Sequence, residues 1–256
     1  MKKSVIIKPL FLMAMLLAFH TSHGQEQDSI PPKTSKFSIG IAVSPEMGYR
    51  SFNPTNKGEK NDFLMNVSKP LLDSLESPKF CYSVGIYSTY QLSKRFSLEL
   101  AVYYANKGYK IDEITFTTVN DPEKSGTGSI FYNYRYIDVP LNVNFYIINR
   151  KFKFFVSTGI TANIFINKTS IIKTDDFDAS VINERYNPTR GNTAPFNMAF
   201  NGSLGLEYEL SQHVTLRLQP HYQRFLTTID TSKWINDEYT VKLYNYGIRL
   251  GASYHF

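Results

Sequence analysis

The chain has 256 residues, enough for one large β domain or two small ones, and its 18 Tyr and 19 Phe against one Trp favour strands over helices. Its net charge of +6 falls to about +3 once residues 1–24, which carry three Lys and no acid, are set aside; so small a surplus argues against nucleic acid as a partner. A single cysteine, Cys81, excludes an intramolecular disulfide, and its place in a strand pattern reads as a small buried residue.

The N-terminus has the layout of a secretory signal peptide over residues 1–24. Met1-Lys2-Lys3 and Lys8 supply a basic region, Pro9 to Ala18 an apolar core, and Ser22-His23-Gly24 a small-x-small site before Gln25. The apolar run is too short for a transmembrane helix. No Cys follows the cleavage site, which argues against a lipoprotein. Residues 25–36, polar and containing Pro31-Pro32, read as a disordered lead-in, and residues 37–256 as one β domain.

From Phe37 onward the chain alternates apolar with small or polar residues, the mark of strands with two unlike faces. Strand one is expected over 37–52, with Phe37, Ile39, Ile41, Val43, Met47 and Tyr49 opposite Ser38, Gly40, Ala42, Ser44, Glu46 and Gly48. A long loop over 53–79 follows, in which Ser68-Lys69-Pro70 reads as the cap of a short helix containing Leu71, Leu72 and Leu75. Strand two (80–92) turns through Ser93-Lys94-Arg95 into strand three (96–109). Pairing Leu92 with Phe96 puts both apolar faces on one side. A loop over 110–131 leads to strand four (132–148), and Asn149-Arg150-Lys151 turns it into strand five (152–166). After a loop over 167–195, strand six (196–210) turns through Ser211-Gln212-His213 into strand seven (214–225). Pairing Leu210 with Val214 sets Glu207 opposite Arg217. A fourth loop, 226–240, holds Trp234 and leads to the last strand, Leu243 to Phe256. Eight strands joined alternately by short and long connections predict an all-β, antiparallel, up-and-down barrel.

Three features turn the apolar face outward, making this a transmembrane barrel. The polar face is rich in Gly, Ala and Ser, which suits the crowded interior of a small barrel. It carries charges of both signs, Glu99, Lys107, Asp138, Glu207, Glu209, Arg217 and Arg249, which can neutralise one another in a lumen. Aromatics gather at strand ends: Tyr49, Tyr82, Tyr104 and Tyr244 near the long loops; Phe96, Phe152, Phe154, Tyr208, Tyr254 and Phe256 near the short turns. That is a double aromatic girdle. Strands of about 12 to 16 residues exceed the roughly 9 to 11 that cross a bilayer, so they should project on the long-loop side.

The last strand, with Tyr254 and a terminal Phe256, resembles the C-terminal strand of bacterial outer-membrane barrels, which implies an assembly signal read by barrel-assembly machinery. Tyr136-Ile137-Asp138-Val139-Pro140-Leu141 resembles a segment of the PorT-like outer-membrane β-barrel proteins of the Bacteroidetes. Ser83-Val84-Gly85-Ile86, Gly205-Leu206-Glu207-Tyr208 and the C-terminal Gly247 to Phe256 are similar too. The resemblance implies an eight-stranded barrel with a periplasmic N-terminus and long loops outside. Because one member of that family belongs to a secretion and gliding apparatus, envelope or secretion proteins are the partners it suggests, beside outer-membrane lipid and lipopolysaccharide. Pro140, inward-facing and without an N–H, should coincide with a bulge or a missing ladder bond.

No phosphate-binding Gly loop, zinc-type His-Glu-x-x-His or Gly-x-Ser-x-Gly elbow occurs, and no cofactor is expected. The chemistry-bearing residues instead share the polar face, where Glu99, Asp138, Glu207, Arg217, His221 and Arg249 are expected to form a lumen network. His221, with Ser203 opposite and Glu207 one step along, is the one arrangement resembling a hydrolase set; packing is the plainer reading. Asp175, Asp176 and Asp178 match no Ca²⁺ loop and read as a solvated acidic loop. Tyr87, Tyr103, Phe155 and Phe165 point inward by parity and should plug the lumen, which argues against open conduction. The expected role is a non-enzymatic structural or interaction module, with a small lipid- or ligand-modifying enzyme or a narrow channel as the alternatives.

Overall fold

The computed structural model describes residues 36–54, 74–118, 121–174, 193–230 and 239–256. Eight strands close into a barrel in which each pairs antiparallel with its neighbours in sequence and the last pairs with the first. They are β1 (Phe37–Pro54), β2 (Glu76–Gln91), β3 (Phe96–Thr118), β4 (Asp121–Asn149), β5 (Phe152–Thr174), β6 (Phe196–Glu209), β7 (Val214–Phe225) and β8 (Tyr239–His255).

The three short turns set the register. Tyr90 faces Leu98 and Gln91 faces Ser97, in line with the 92–96 pairing read from the sequence. Glu209 faces Thr215 and Glu207 faces Arg217, in line with the 210–214 pairing. Two of the turns use the same device: Ser93 Oγ accepts from the N–H groups of Arg95 and Phe96, and Ser211 Oγ from those of His213 and Val214. A serine at the turn entrance thus satisfies backbone donors that the ladder leaves open.

Burial decides which face looks out. Ile41 is 67% exposed and Ile86 57%, whereas Glu99 is 0% and Arg217 5% exposed. The apolar side chains form the outer surface and the charges fill the inside, the inverse of a soluble barrel. At one end of the outer band Tyr82 packs near Tyr104 and Tyr49 near Tyr244; at the other, Phe96 lies 5.1 Å from Phe145 and Phe37 stacks 5.9 Å from Phe256.

The long connections depart from expectation. The segment 110–131 is not a loop: β3 runs to Thr118 and β4 starts at Asp121, so the two strands form a hairpin that stays paired far past the girdle. β5 likewise continues to Thr174, paired with β4 up to Gly128, so 167–195 is strand at its start and β3, β4 and β5 make a three-stranded ribbon. β2 begins at Glu76 and β8 at Tyr239, which shortens the 53–79 and 226–240 loops. Leu71, Leu72, Trp234, Asp175, Asp176, Asp178, the expected signal peptide and most of the lead-in lie outside the described residues.

Three prolines, Pro45, Pro140 and Pro220, break the ladder without shifting it. At Pro140 the β3–β4 pairing stops at Leu100↔Leu141 and resumes at Tyr103↔Asp138 in the same register, while the other edge of Pro140 pairs with Thr161. Pro45 leaves the same kind of gap against β8, and Pro220 against β6. Each strand turns the edge that lacks an N–H to the gap and keeps the other edge paired.

Candidate functional site

Inward parity brings the charges together in two clusters along the lumen. In the cluster nearer the short turns, Arg217 from β7 is the hub. Its Nε and Nη2 donate to Glu207 Oε1 at 2.8 and 2.6 Å, and its Nη1 donates to Glu99. Asn142 Nδ2 also donates to Glu99, at 3.3 Å. The guanidinium lies 4.5 Å from the ring centre of Tyr87 and 5.2 Å from that of Phe155. One cation between two carboxylates and two aromatic faces is fully enclosed, so its desolvation is offset by ion pairing, hydrogen bonds and ring contacts together.

The second cluster centres on Glu46 and Lys107. Ser83 Oγ donates to Glu46 at 2.7 Å, Asn245 Nδ2 donates to the other carboxylate oxygen, and His221 Nε2 lies 3.3 Å away. Lys107 Nζ is 2.9 Å from Asp138 and also donates to Gln223 and Asn245, so Asn245 bridges the two charged pairs. Asn163 donates to Asp138 at 2.6 Å. Arg249 lies over the Tyr103 ring at 4.5 Å and makes no ion pair among the described residues.

The six lumen residues read from the sequence therefore all face inward but do not form one network. Glu99, Glu207 and Arg217 belong to the first cluster, Asp138 and His221 to the second, and Arg249 stands on an aromatic face between them. Glu46 and the neutral partners Ser83, Asn142, Asn163, Gln223 and Asn245 are members that sequence reasoning missed. The available signal was that Glu46 is the only acid at an inward position of β1. The expected hydrolase-like set of His221, Ser203 and Glu207 does not assemble. Ser203 does sit opposite His221, but its Oγ accepts from Gln219 Nε2 at 2.7 Å, Glu207 is committed to Arg217, and the carboxylate beside His221 is Glu46.

Little space remains. A cavity of about 20 Å³ lies among Tyr103, Asp138, Thr161, His221 and Arg249, room for water and not for an organic ligand. Tyr87, Tyr103 and Phe155 are 0–2% exposed inside the barrel. Phe165 packs against Tyr136, which also meets Phe225 edge-on at 5.5 Å and closes the end below the ribbon. Among the described residues, no group of His, Cys, Asp and Glu is placed to hold a metal ion.

At the ribbon base, Arg50 pairs with Glu76 and lies over the rings of Phe52 and Tyr109. Asp112 gathers Lys110, Ser77 and Ser129, joining β2, β3 and β4. Desolvation raises the Asp112 carboxyl, but hydrogen bonds from Lys110, Ser77 and Ser129 outweigh it and hold it below its ordinary value.

An apolar girdled exterior around a plugged ionic interior defines a small up-and-down β-barrel of the outer membrane. The chain belongs to the outer membrane protein beta-barrel domain family, whose model matches residues 24–256. No curated protein matches it. Among solved structures it is similar to neisserial surface protein A (10% identity, 87% of this chain and 99% of that one, TM-score 0.45). It is also similar to OprG of Pseudomonas aeruginosa (13%, 89% and 100%, 0.44) and to the outer membrane protease OmpT of Escherichia coli (9%, 91% and 100%, 0.41). At these values the likenesses concern the fold alone.

Proposed function

We propose that this is a non-enzymatic interaction protein, a closed outer-membrane anchor that holds the β3–β4–β5 ribbon clear of the bilayer for an envelope or secretion partner. The observation that carries the reading is the division of labour along the strands. The membrane-embedded part is filled with paired charges and rings, while three strands continue past the girdle with polar sequence that bilayer crossing does not need. The resemblance to PorT-like barrels supports an N-terminus in the periplasm, reached by cleavage after residue 24, and a ribbon outside the cell. His221 makes no hydrogen bond to Ser203 among the described residues and Glu207 is committed to Arg217, which weighs against a hydrolase.

Photo-cross-linking in intact cells tests this. A photoreactive residue at Ile130 or Lys173 in the ribbon is expected to give one discrete protein adduct, and one at Gln212 in a short turn none of the same mass. Absence of any adduct from the ribbon positions, with the barrel folded in the membrane, would overturn the reading.

A further inference from the structure

The end of the barrel opposite the ribbon carries an uneven charge. Two of the three short turns lie side by side: Asn149 Nδ2 donates to the Lys94 carbonyl at 2.5 Å, and Tyr146 N–H donates to the Arg95 carbonyl at 2.8 Å. They present Lys94, Arg95, Arg150 and Lys151, all exposed. Lys36 flanks the first turn, its carbonyl accepting from Gln91 N–H at 2.7 Å. None of the four turn cations makes an ion pair among the described residues; the nearby Glu209 is taken by Lys153 at 2.8 Å. The third turn, Ser211-Gln212-His213, carries no Lys or Arg. The cations therefore occupy one sector of the rim.

Immediately inside that sector lies the outer apolar band: Leu92, Phe96, Ile147 and Phe152, each 45–55% exposed, with Phe145 against Phe96. Lys151 Nζ also sits 5.6 Å from the ring centre of Tyr208. Unpaired cations one residue from rings that continue into the acyl-facing surface match the boundary between lipid tails and headgroups. A soluble acidic protein would have no use for the contiguous apolar half of this surface, whereas a lipid uses both halves.

We propose that the rim formed by the first two short turns binds the phosphate headgroups of anionic phospholipids, with their acyl chains laid on the Phe96, Phe145 and Phe152 surface. The site holds lipid on one side of the barrel and leaves the side of the third turn without such a preference.

The test is native mass spectrometry of the folded, detergent-purified barrel offered equal amounts of palmitoyl-oleoyl phosphatidylglycerol and palmitoyl-oleoyl phosphatidylcholine. Phosphatidylglycerol adducts are expected to exceed phosphatidylcholine adducts on the order of tenfold. The preference should be lost in Lys94→Gln/Arg95→Gln/Arg150→Gln/Lys151→Gln and kept in Lys168→Gln/Lys173→Gln at the other end. These turn side chains are exposed, and unheated-gel mobility checks that each variant stays folded. Equal adducts of the two lipids, or a preference that survives the fourfold change, would sink the proposal. So would charge-dependent capture of soluble polyglutamate with no lipid preference, which would make the rim a protein-docking surface.

Discussion

Arg217 shows how much of the interior depends on single side chains. With its charge removed, Glu99 and Glu207 are left as buried carboxylates without their ion-pair partner. We expect Arg217→Met to cost about 3–5 kcal/mol, read as a lower urea midpoint of the barrel in liposomes. Neutralising all three, as Glu99→Gln/Arg217→Met/Glu207→Gln, should recover most of that loss; no recovery would mean that the ring contacts of Arg217 matter more than its ion pairs. Gly205 is the steric counterpart. A Cβ there would stand 2.0 Å from Phe155 Cζ, so Gly205→Ala should cost about 1–3 kcal/mol and Phe155→Leu in the same chain should relieve it. The Glu207–Arg217 pair was legible in the sequence because a three-residue turn fixes which residues of two adjacent strands face each other. The Ser83–Glu46 hydrogen bond joins strands across the long β1–β2 connection, whose length fixes no register, and the contacts of Glu46 with Asn245 and His221 depend on how far side chains reach within a closed ring, which alternation does not encode.

At the scale of elements, strands were legible where their two faces meet different surroundings. In the ribbon neither face is consistently apolar, so Lys110 to Thr118 and Ser125 to Phe131 lack clean alternation and read as a loop although they pair as strands. Bulges between Pro78 and Tyr82, between Ile111 and Ile114 and between Arg135 and Tyr136 shift the register there, and burial stops alternating strictly: Asn133 and Tyr134 are both buried although adjacent. The ribbon base is held partly by Asp112, whose carboxyl sits below its ordinary value. A depressed carboxylate stabilises the fold above its unfolded value and ceases to do so as pH falls through the lower folded value. Protection of the amides around Lys110 and Ser129, measured against their intrinsic exchange rate at each pH, should therefore fall as acid protonates Asp112. In Asp112→Asn protection should already be lower at neutral pH and show no such acid step; an unchanged acid response would assign the step to another carboxylate. The effect should be small, because the group is partly exposed and its ion pair is screened by solvent.

For the whole molecule, the filled lumen predicts that the folded protein inserted in a planar bilayer gives flat current traces, while Tyr87→Ala/Phe155→Ala/Arg217→Ala, if it folds, gives discrete steps. Steps from the unaltered barrel would restore the channel reading. Closure also depends on eight seams of unequal strength. β1 and β8 are joined over Ser38–Pro54, whereas β7, the shortest strand, meets β6 only between Ala199 and Glu209, with Pro220 interrupting that pairing midway. Seen as a hoop under tension, the barrel has its tear line between β6 and β7, so a sideways load from lipid or an attached partner would part the wall there, while the chain's two terminal strands stay laced together.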